Sequence, residues 1–277
     1  MIRSVFYISD STGITAETLG QSLLSHFDHI QFKQQVCSYI DNEEKAIAVV
    51  NRINKAAEED DERPIVFDTV INREVGDILE ASQGFIIDIF SMFLKPMEEL
   101  LGSPSNYHVG RPQLDNQDKR YKNRIDAVQY ALHNDDGAKV DRYSEADVIL
   151  VGVSRSGKTP TCLYLALQNG IYAANYPLTE DDMDGPGIPR VLKPFQNKLF
   201  GLIIDPGRLS EIRQERRSNS RYASLNQCED EVRQAQALFN RFGIPYLDTT
   251  RMSVEEISTR ILMDSGLRNG KGKRNGK

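Results

Sequence analysis

A glycine-rich segment near the middle of the chain has the residue types and spacing of a phosphate-binding loop. It consists of Gly152, Val153, Ser154, Arg155, Ser156, Gly157, Lys158 and Thr159. Glycines permit backbone angles that other residues resist, so successive N–H groups can point inward at a phosphate chain. In this pattern the lysine reaches the outer phosphates and the next hydroxyl binds Mg²⁺. The segment predicts a nucleotide site with Lys158 on the phosphates and Thr159 on the metal ion.

The sequence on either side supplies the elements that this loop requires. The apolar run Val148–Val151 predicts a strand, and the helically spaced apolar residues from Cys162 to Leu167 predict a helix. The N-terminus of that helix would add positive potential at the phosphates. The alternative is a glycine turn between two core elements, with Lys158 solvated.

Asp205 is the second candidate magnesium ligand. It follows the apolar run Phe200–Ile204, where a P-loop protein would place a metal-holding carboxylate. The alternative is a turn aspartate before Pro206 and Gly207.

An arginine cluster follows Asp205 and consists of Arg208, Arg213, Arg216, Arg217 and Arg221. If the helix continues, Arg213, Arg217 and Arg221 share one face, and guanidinium groups suit phosphate oxygens. The alternative is a solvated helix face paired with Glu211 and Glu215.

Candidate proton acceptors are fewer and less specific. Asp181, Asp182 and Asp184 lie in a stretch rich in proline and glycine, which predicts a loop over the site. His133 could act as an acid or base, or could close the end of a helix.

The first strand and turn, Tyr7–Thr15, repeat the pattern of the phosphate loop without its lysine and first glycine. This repeat could be a second anion site or an ordinary turn in which Asp10, Ser11 or Thr12 caps the next helix.

Composition excludes several classes of protein. The net charge of −6 argues against a general nucleic-acid binder, and no apolar run is long enough to span a membrane. The N-terminus lacks a signal-peptide pattern. The three cysteines, Cys37, Cys162 and Cys228, include no CxxC pair, which argues against a disulfide framework or zinc site and favours a cytoplasmic protein.

Strands alternating with helices predict an α/β protein with parallel sheets flanked by helices. We expect an N-terminal α/β domain over 1–102 that recognises a partner or phosphate, and a P-loop domain over 141–267. Residues 103–140 are expected to form a linker and a helix, and 268–277 a disordered basic tail. The linker is predicted to extend to Lys119, and the helix Tyr121–His133 to bury Tyr121, Ile125, Val128 and Leu132.

Four separated stretches carry a resemblance to a known family. They are Phe6–Gly13, Gly152–Thr161, Leu199–Pro206 and Ser220–Leu225. In these stretches the chain resembles the bifunctional regulatory proteins of pyruvate, phosphate dikinase and phosphoenolpyruvate synthase. The likeness runs from the first strand to the last helix and leaves out only the basic tail.

The resemblance implies a serine/threonine kinase that takes its phosphate from ADP and inactivates its target at an active-site threonine. It also implies the reverse step, in which inorganic phosphate attacks the phosphothreonine and releases pyrophosphate. ADP would bind at Gly152–Thr159, with Thr159 and Asp205 on Mg²⁺. Lys158, Asp205 and Arg221 would be the catalytic groups.

The partner implied is phosphoenolpyruvate synthase, because Thr179–Asp184 looks more like that subgroup, with pyruvate, phosphate dikinase as the alternative. No nucleic acid or membrane is expected as a partner, and a homodimer is compatible with this function. Two other classes stay open from the residues alone: a P-loop metabolite kinase or GTPase-like switch that uses a triphosphate, and a nucleotide-sensing module without catalysis.

Overall fold

The computed structural model divides the chain into two compact units, residues 1–111 and 112–277. It describes residues 2–105, 114–137, 140–183, 185, 187–218 and 220–267, without the side chains of 114–120 and 136. The predicted tail 268–277, much of the predicted linker and Asp184 lie outside the described residues. The domain limits expected from the sequence stay predictions.

The first unit contains one four-stranded parallel sheet with the order β2-β1-β3-β4. Its strands are β1 (Ile2–Ile8), β2 (Gln31–Cys37), β3 (Ile65–Asp68) and β4 (Phe85–Asp88), and its helices are α1 (Ile14–Leu24), α2 (Glu43–Asp60), α3 (Arg73–Glu80) and α4 (Ile89–Leu101). The second half of β1 is buried on both faces, as expected for a central strand of a parallel sheet.

The second unit repeats this order, β6-β5-β7-β8, again with every neighbour parallel. Its strands are β5 (Val148–Gly152), β6 (Ala173–Pro177), β7 (Leu199–Ile203) and β8 (Tyr246–Asp248). Its helices are α5 (Leu114–His133), α6 (Lys158–Asn169), α7 (Glu180–Met183), α8 (Pro206–Arg216), α9 (Leu225–Phe242) and α10 (Val254–Asp264). The predicted α/β class with parallel sheets flanked by helices is confirmed.

The position of β5 explains why the phosphate loop lies where it does. All five β5 residues are buried, and separate apolar clusters cover the two faces of the second sheet. The chain moves from β5 outward to β6 on one side and returns to β7 on the other. In such sheets, ligands bind beyond the carboxyl ends of the strands at the point where the order reverses. This point is the end of β5 beside β7.

The predicted buried face of α5 is only partly confirmed, since Ile125 and Val128 are half-buried. Tyr121 and Leu132 are 68% and 58% exposed, whereas Ala127, Tyr130 and Ala131 are buried. Ala127 and Ala131 belong to the same apolar cluster as α6 residues, so small side chains lie where the two helices pack. The helix also begins at Leu114, within the predicted linker.

The predicted cap of α1 is wrong. Gly13, at φ 82° and ψ −1°, occupies the N-cap position without a side-chain hydrogen bond. At the last helix, Ser253 with Glu256 three residues on has the sequence pattern of a capping box, and the two residues form one in the structure.

Within the part of the chain that the structure describes, no helix is long and apolar enough to cross a membrane. The three cysteines are free and buried.

Candidate active site

The structure requires glycine at two positions of the phosphate loop, for a different reason at each. Gly157 occupies the N-cap of α6 at φ 89° and ψ 8°, a left-handed conformation that glycine adopts without strain. Gly152 is required for close packing instead, because a Cβ there would lie 2.3 Å from the backbone oxygen of Leu202. The first glycine therefore brings the end of β5 against β7, and the second turns the loop into the helix.

Lys158 folds back over the loop. Its side chain is buried, and Nζ donates a hydrogen bond to the Val153 carbonyl at 2.8 Å. A charged ammonium is costly to bury without partners, so this carbonyl helps hold the lysine beside the loop amides. A phosphate chain bound by the loop amides would therefore lie close to this ammonium group.

Thr159 belongs to a polar cluster that the sequence analysis did not identify. Its hydroxyl donates to Asp135 Oδ1 at 2.8 Å, and Asn175 Nδ2 also donates to that oxygen. The same Asn175 nitrogen lies 3.2 Å from the threonine hydroxyl oxygen. Hydroxyl and carboxylate oxygens are ligands that Mg²⁺ accepts. The cluster fits the predicted metal role of Thr159 and adds Asp135 as a candidate ligand.

Asp205 is exposed and caps α8. Its Oδ1 accepts a hydrogen bond from the backbone N–H of Arg208 at 2.9 Å, and its own N–H donates to Thr250 Oγ1. No hydrogen bond joins it to Thr159, and the described residues contain no group of three or more His, Cys, Asp or Glu placed to hold a metal ion. The catalytic and metal roles of Asp205 stay predictions.

Arg213, Arg217 and Arg221 do not share one helix face, although their spacing predicted that they would if the helix continued. Helix α8 ends at Arg216, so the helical spacing does not extend to Arg221. Arg221 is 80% exposed at its side chain, and its guanidinium lies 3.5 Å from Glu180 and 3.3 Å from Gln227. Arg213 is fully buried. The catalytic role of Arg221 stays a prediction.

Buried Arg213 connects α8 to the phosphate loop. Its Nη2 donates to the Ser154 carbonyl at 3.1 Å and to Glu231 at 2.6 Å, and its Nη1 donates to the Tyr222 carbonyl at 3.0 Å. The Tyr222 ring lies 4.1 Å from the guanidinium carbon, and its hydroxyl is 3.0 Å from Ser154 Oγ. Charge-assisted hydrogen bonds of this kind are the strong ones, so Arg213 fixes the position of Ser154.

A pocket of about 420 Å³ opens beside the loop. It is lined by Ser154, Arg155, Arg216, Arg217 and Tyr222, and we call it the arginine pocket. Arg155, on the loop itself, has φ 79°, in the left-handed region that non-glycine residues rarely adopt.

The predicted proton acceptors are placed differently from one another. Asp182 accepts hydrogen bonds from the Tyr176 hydroxyl and from Thr179, whereas Asp181 is exposed. Burial, followed by the nearby Asp182 charge, raises the pKa of Tyr176 to about 12. His133 is exposed at the last residue of α5. None of these contacts identifies a general base.

Sequence reasoning missed three residues of the site. Asp135 lies in Asn134–Gly137, which reads only as the end of a helix. Asn175 is a polar residue inside a short apolar strand, and this placement is the one signal in the sequence that could have found it. In the structure its side chain is 1% exposed. Tyr222 has no such signal, because its contact with Ser154 joins residues far apart in sequence.

Comparison with known proteins identifies the family of the chain. The kinase/pyrophosphorylase family model matches residues 5–262. A Pseudomonas aeruginosa protein named "putative phosphoenolpyruvate synthase regulatory protein" is 57% identical over 267 residues, which are 96% of this chain and 97% of that protein. A protein of the same name from Marinobacter nauticus is 55% identical and covers 97% of this chain and 99% of its own length. The chain therefore belongs to the kinase/pyrophosphorylase family.

Proposed function

We propose that this protein phosphorylates and dephosphorylates a threonine of phosphoenolpyruvate synthase. In the forward step the β-phosphoryl group of ADP moves to the threonine oxygen, the bond to AMP breaks, and the hydroxyl loses its proton. In the reverse step an oxygen of inorganic phosphate attacks the phosphorus of phosphothreonine. The bond to the threonine oxygen breaks, that oxygen takes up a proton, and pyrophosphate leaves.

The observation that carries this proposal is the loop at the end of β5, with Lys158 folded over it. Phosphoryl transfer depends on positioning and charge neutralisation more than on covalent chemistry by the protein. The loop amides and the N-terminus of α6 supply oriented positive ends, and Lys158 supplies a full charge. The choice of target rests on the names of the 55–57% identical relatives.

Each side chain of the site has a defined part in this proposal. The loop amides orient the diphosphate, and Lys158 exchanges the Val153 carbonyl for a phosphate oxygen. Thr159 would hold Mg²⁺ together with Asp135 or Asp205. When bound, Mg²⁺ neutralises charge that develops on the phosphate oxygens. Asn175 holds Asp135 toward Thr159.

A paired incubation tests the proposal. The protein is mixed with phosphoenolpyruvate synthase or, separately, with pyruvate, phosphate dikinase, and ADP or ATP is supplied. Phosphothreonine is followed by mass spectrometry, and pyrophosphate is measured after inorganic phosphate is added. We expect ADP-dependent modification of phosphoenolpyruvate synthase that phosphate reverses.

The other results would each change the conclusion. Modification of the dikinase alone would replace the target and keep the chemistry. Modification with ATP but not ADP would discard the donor. No modification of either enzyme would favour a P-loop metabolite kinase or a nucleotide-sensing module.

A further inference from the structure

The arginine pocket contains three guanidinium groups without carboxylate partners. Among the described residues, no Asp or Glu lies within 4.0 Å of the side chains of Arg155, Arg216 or Arg217. Seven other arginines of the chain form ion pairs: Arg3, Arg142, Arg208, Arg213, Arg221, Arg233 and Arg260. Positive charges gathered in one pocket repel each other unless an anion joins them.

The dipole of α8 does not account for this arrangement. A cation in the last turn of a helix gains about 0.3–1 kcal/mol, which could explain the placement of Arg216 at the end of α8. It does not explain Arg155, which lies on the phosphate loop. A left-handed backbone costs a non-glycine residue about 1–2 kcal/mol, and such strain concentrates at functional sites.

Buried groups hold two of the residues that line the pocket in place. Arg213 holds both the Ser154 and the Tyr222 carbonyls, and Glu231 neutralises its charge. The Tyr222 hydroxyl and Ser154 Oγ meet at 3.0 Å, and both residues line the pocket. Two hydroxyl groups and three guanidinium groups are therefore presented together, and all of these groups can donate hydrogen bonds to an oxyanion.

We propose that the arginine pocket is a second oxyanion site, which binds the phosphate group that does not belong to the nucleotide. Its ligand is an orthophosphate-type dianion, either free inorganic phosphate or the phosphoryl group of a phosphothreonine. This inference rests on the proposed function for its role in catalysis, but the binding itself can be measured without any activity. The volume of the arginine pocket, about 420 Å³, lies within the range of small-molecule sites.

Direct binding to the full chain tests the site. Inorganic phosphate and a phosphothreonine peptide are titrated separately by calorimetry, and ADP is titrated as the reference ligand. The test variant is the double substitution Arg216→Gln and Arg217→Gln. The control is Arg233→Gln with Arg260→Gln, which also removes two positive charges, from residues paired with Asp230 and Asp264 and outside the pocket. Thermal unfolding confirms that both variants are folded.

We expect the test variant to lose roughly ten- to hundredfold in affinity for phosphate or for the phosphopeptide. Its ADP affinity should stay within about threefold of the wild-type value, and the control should bind every ligand as the wild type does. The ligand whose affinity falls identifies the source of the phosphate group.

Three results would overturn the site. The first is a wild-type protein that binds neither inorganic phosphate nor the phosphopeptide. The second is a test variant with unchanged affinity for both. The third is an equal loss of ADP affinity, which would make the pocket part of the nucleotide site. A wild-type protein that binds phosphate through these arginines but modifies no enzyme would refute the proposed function and leave the site standing.

Discussion

The turns after β1 and β5 have the same position in two sheets of the same strand order, yet only one has the groups that a phosphate needs. Both turns enter a helix through a left-handed glycine, Gly13 at φ 82° and Gly157 at φ 89°. The residue after each glycine differs. Lys158 is 5% exposed and folded over its loop, whereas Ile14 is 64% exposed and cannot bind an anion.

The polar groups of the first turn bind the backbone instead. Ser9 Oγ accepts a hydrogen bond from the Ser11 N–H, and Asp10 accepts one from the Ile71 N–H. A carboxylate at the mouth of the turn repels a phosphate. These contacts favour an ordinary turn over the second anion site that the sequence left open. The comparison shows that a shared backbone geometry does not by itself make a binding site.

The end of β3 strengthens this contrast, because it also carries an acid. Asp68 is 5% exposed and lines a pocket of about 360 Å³ together with Asp88 and Lys95. Burial raises the pKa of Asp68 to about 7, and the negative charges of Asp88 and Asp10 contribute. The backbone N–H of Val70 donates to the carboxylate and partly opposes this rise.

The largest effect is expected from Arg213→Ala. The substitution leaves Glu231 nearly buried without its partner and frees the Ser154 carbonyl. Breaking a buried ion pair in this way should lower the free energy of unfolding by about 3–5 kcal/mol, measured by urea denaturation. The control, Arg208→Ala on the same helix, removes an exposed pair and should cost less than about 1 kcal/mol. Equal losses would show that Arg213 does not support the phosphate loop.

Lys158→Met is expected to lower both activities by at least about 10²–10³-fold, because it removes the positive charge that stabilises the transferred phosphate group. Kinase activity is measured with ADP and phosphorolysis with inorganic phosphate. Retained phosphorolysis would mean that the two reactions use different sites. The matching change in the first turn, Ile14→Lys, should leave the number of bound ADP molecules per chain unchanged, and an additional ADP would break the comparison between the turns.

Asp68 is expected to make the stability of the first unit depend on pH. Because its pKa is higher in the folded chain than in the unfolded chain, the folded state binds the extra proton between about pH 4 and 7. Stability should therefore fall as pH rises through this window. The expected loss is roughly 2–3 kcal/mol, because the structure around the ionised carboxylate can relax and so reduces the effect of the raised pKa. Asp68→Asn should flatten the dependence, whereas Asp181→Asn, which removes an exposed carboxylate, should retain it. Denaturant unfolding followed from pH 4 to 8 decides between these outcomes.

The smallest effect is expected from Arg155→Gly. Glycine adopts φ 79° without strain, so stability should rise by up to about 1 kcal/mol despite the greater freedom of the unfolded chain. Phosphate affinity should fall at the same time, because one guanidinium leaves the arginine pocket. A loss of stability in thermal unfolding would show that the Arg155 side chain stabilises the folded state by more than its left-handed backbone destabilises it.

Much of the site could be predicted from sequence because it depends on local spacing. The loop, the strand before it and the helix after it lie within about twenty residues, and glycine, lysine and threonine have specific conformations or chemistry. The contacts of Asp135 and Asn175 with Thr159 could not be predicted, because these residues meet only after α5 and β6 have packed around α6. The helical spacing of the arginines also predicted a shared face that does not form, because α8 ends at Arg216.

The sequence alone determined the α/β class, the position of the phosphate loop and the capping box at Ser253, because each depends on neighbours along the chain. Only the tertiary structure decided which charges are buried, which are paired and which face a pocket. Arg213 and Arg217 stand four residues apart, yet one is buried against Ser154 and the other lines the arginine pocket. Burial and partners depend on contacts between distant segments, and local residue patterns do not specify them.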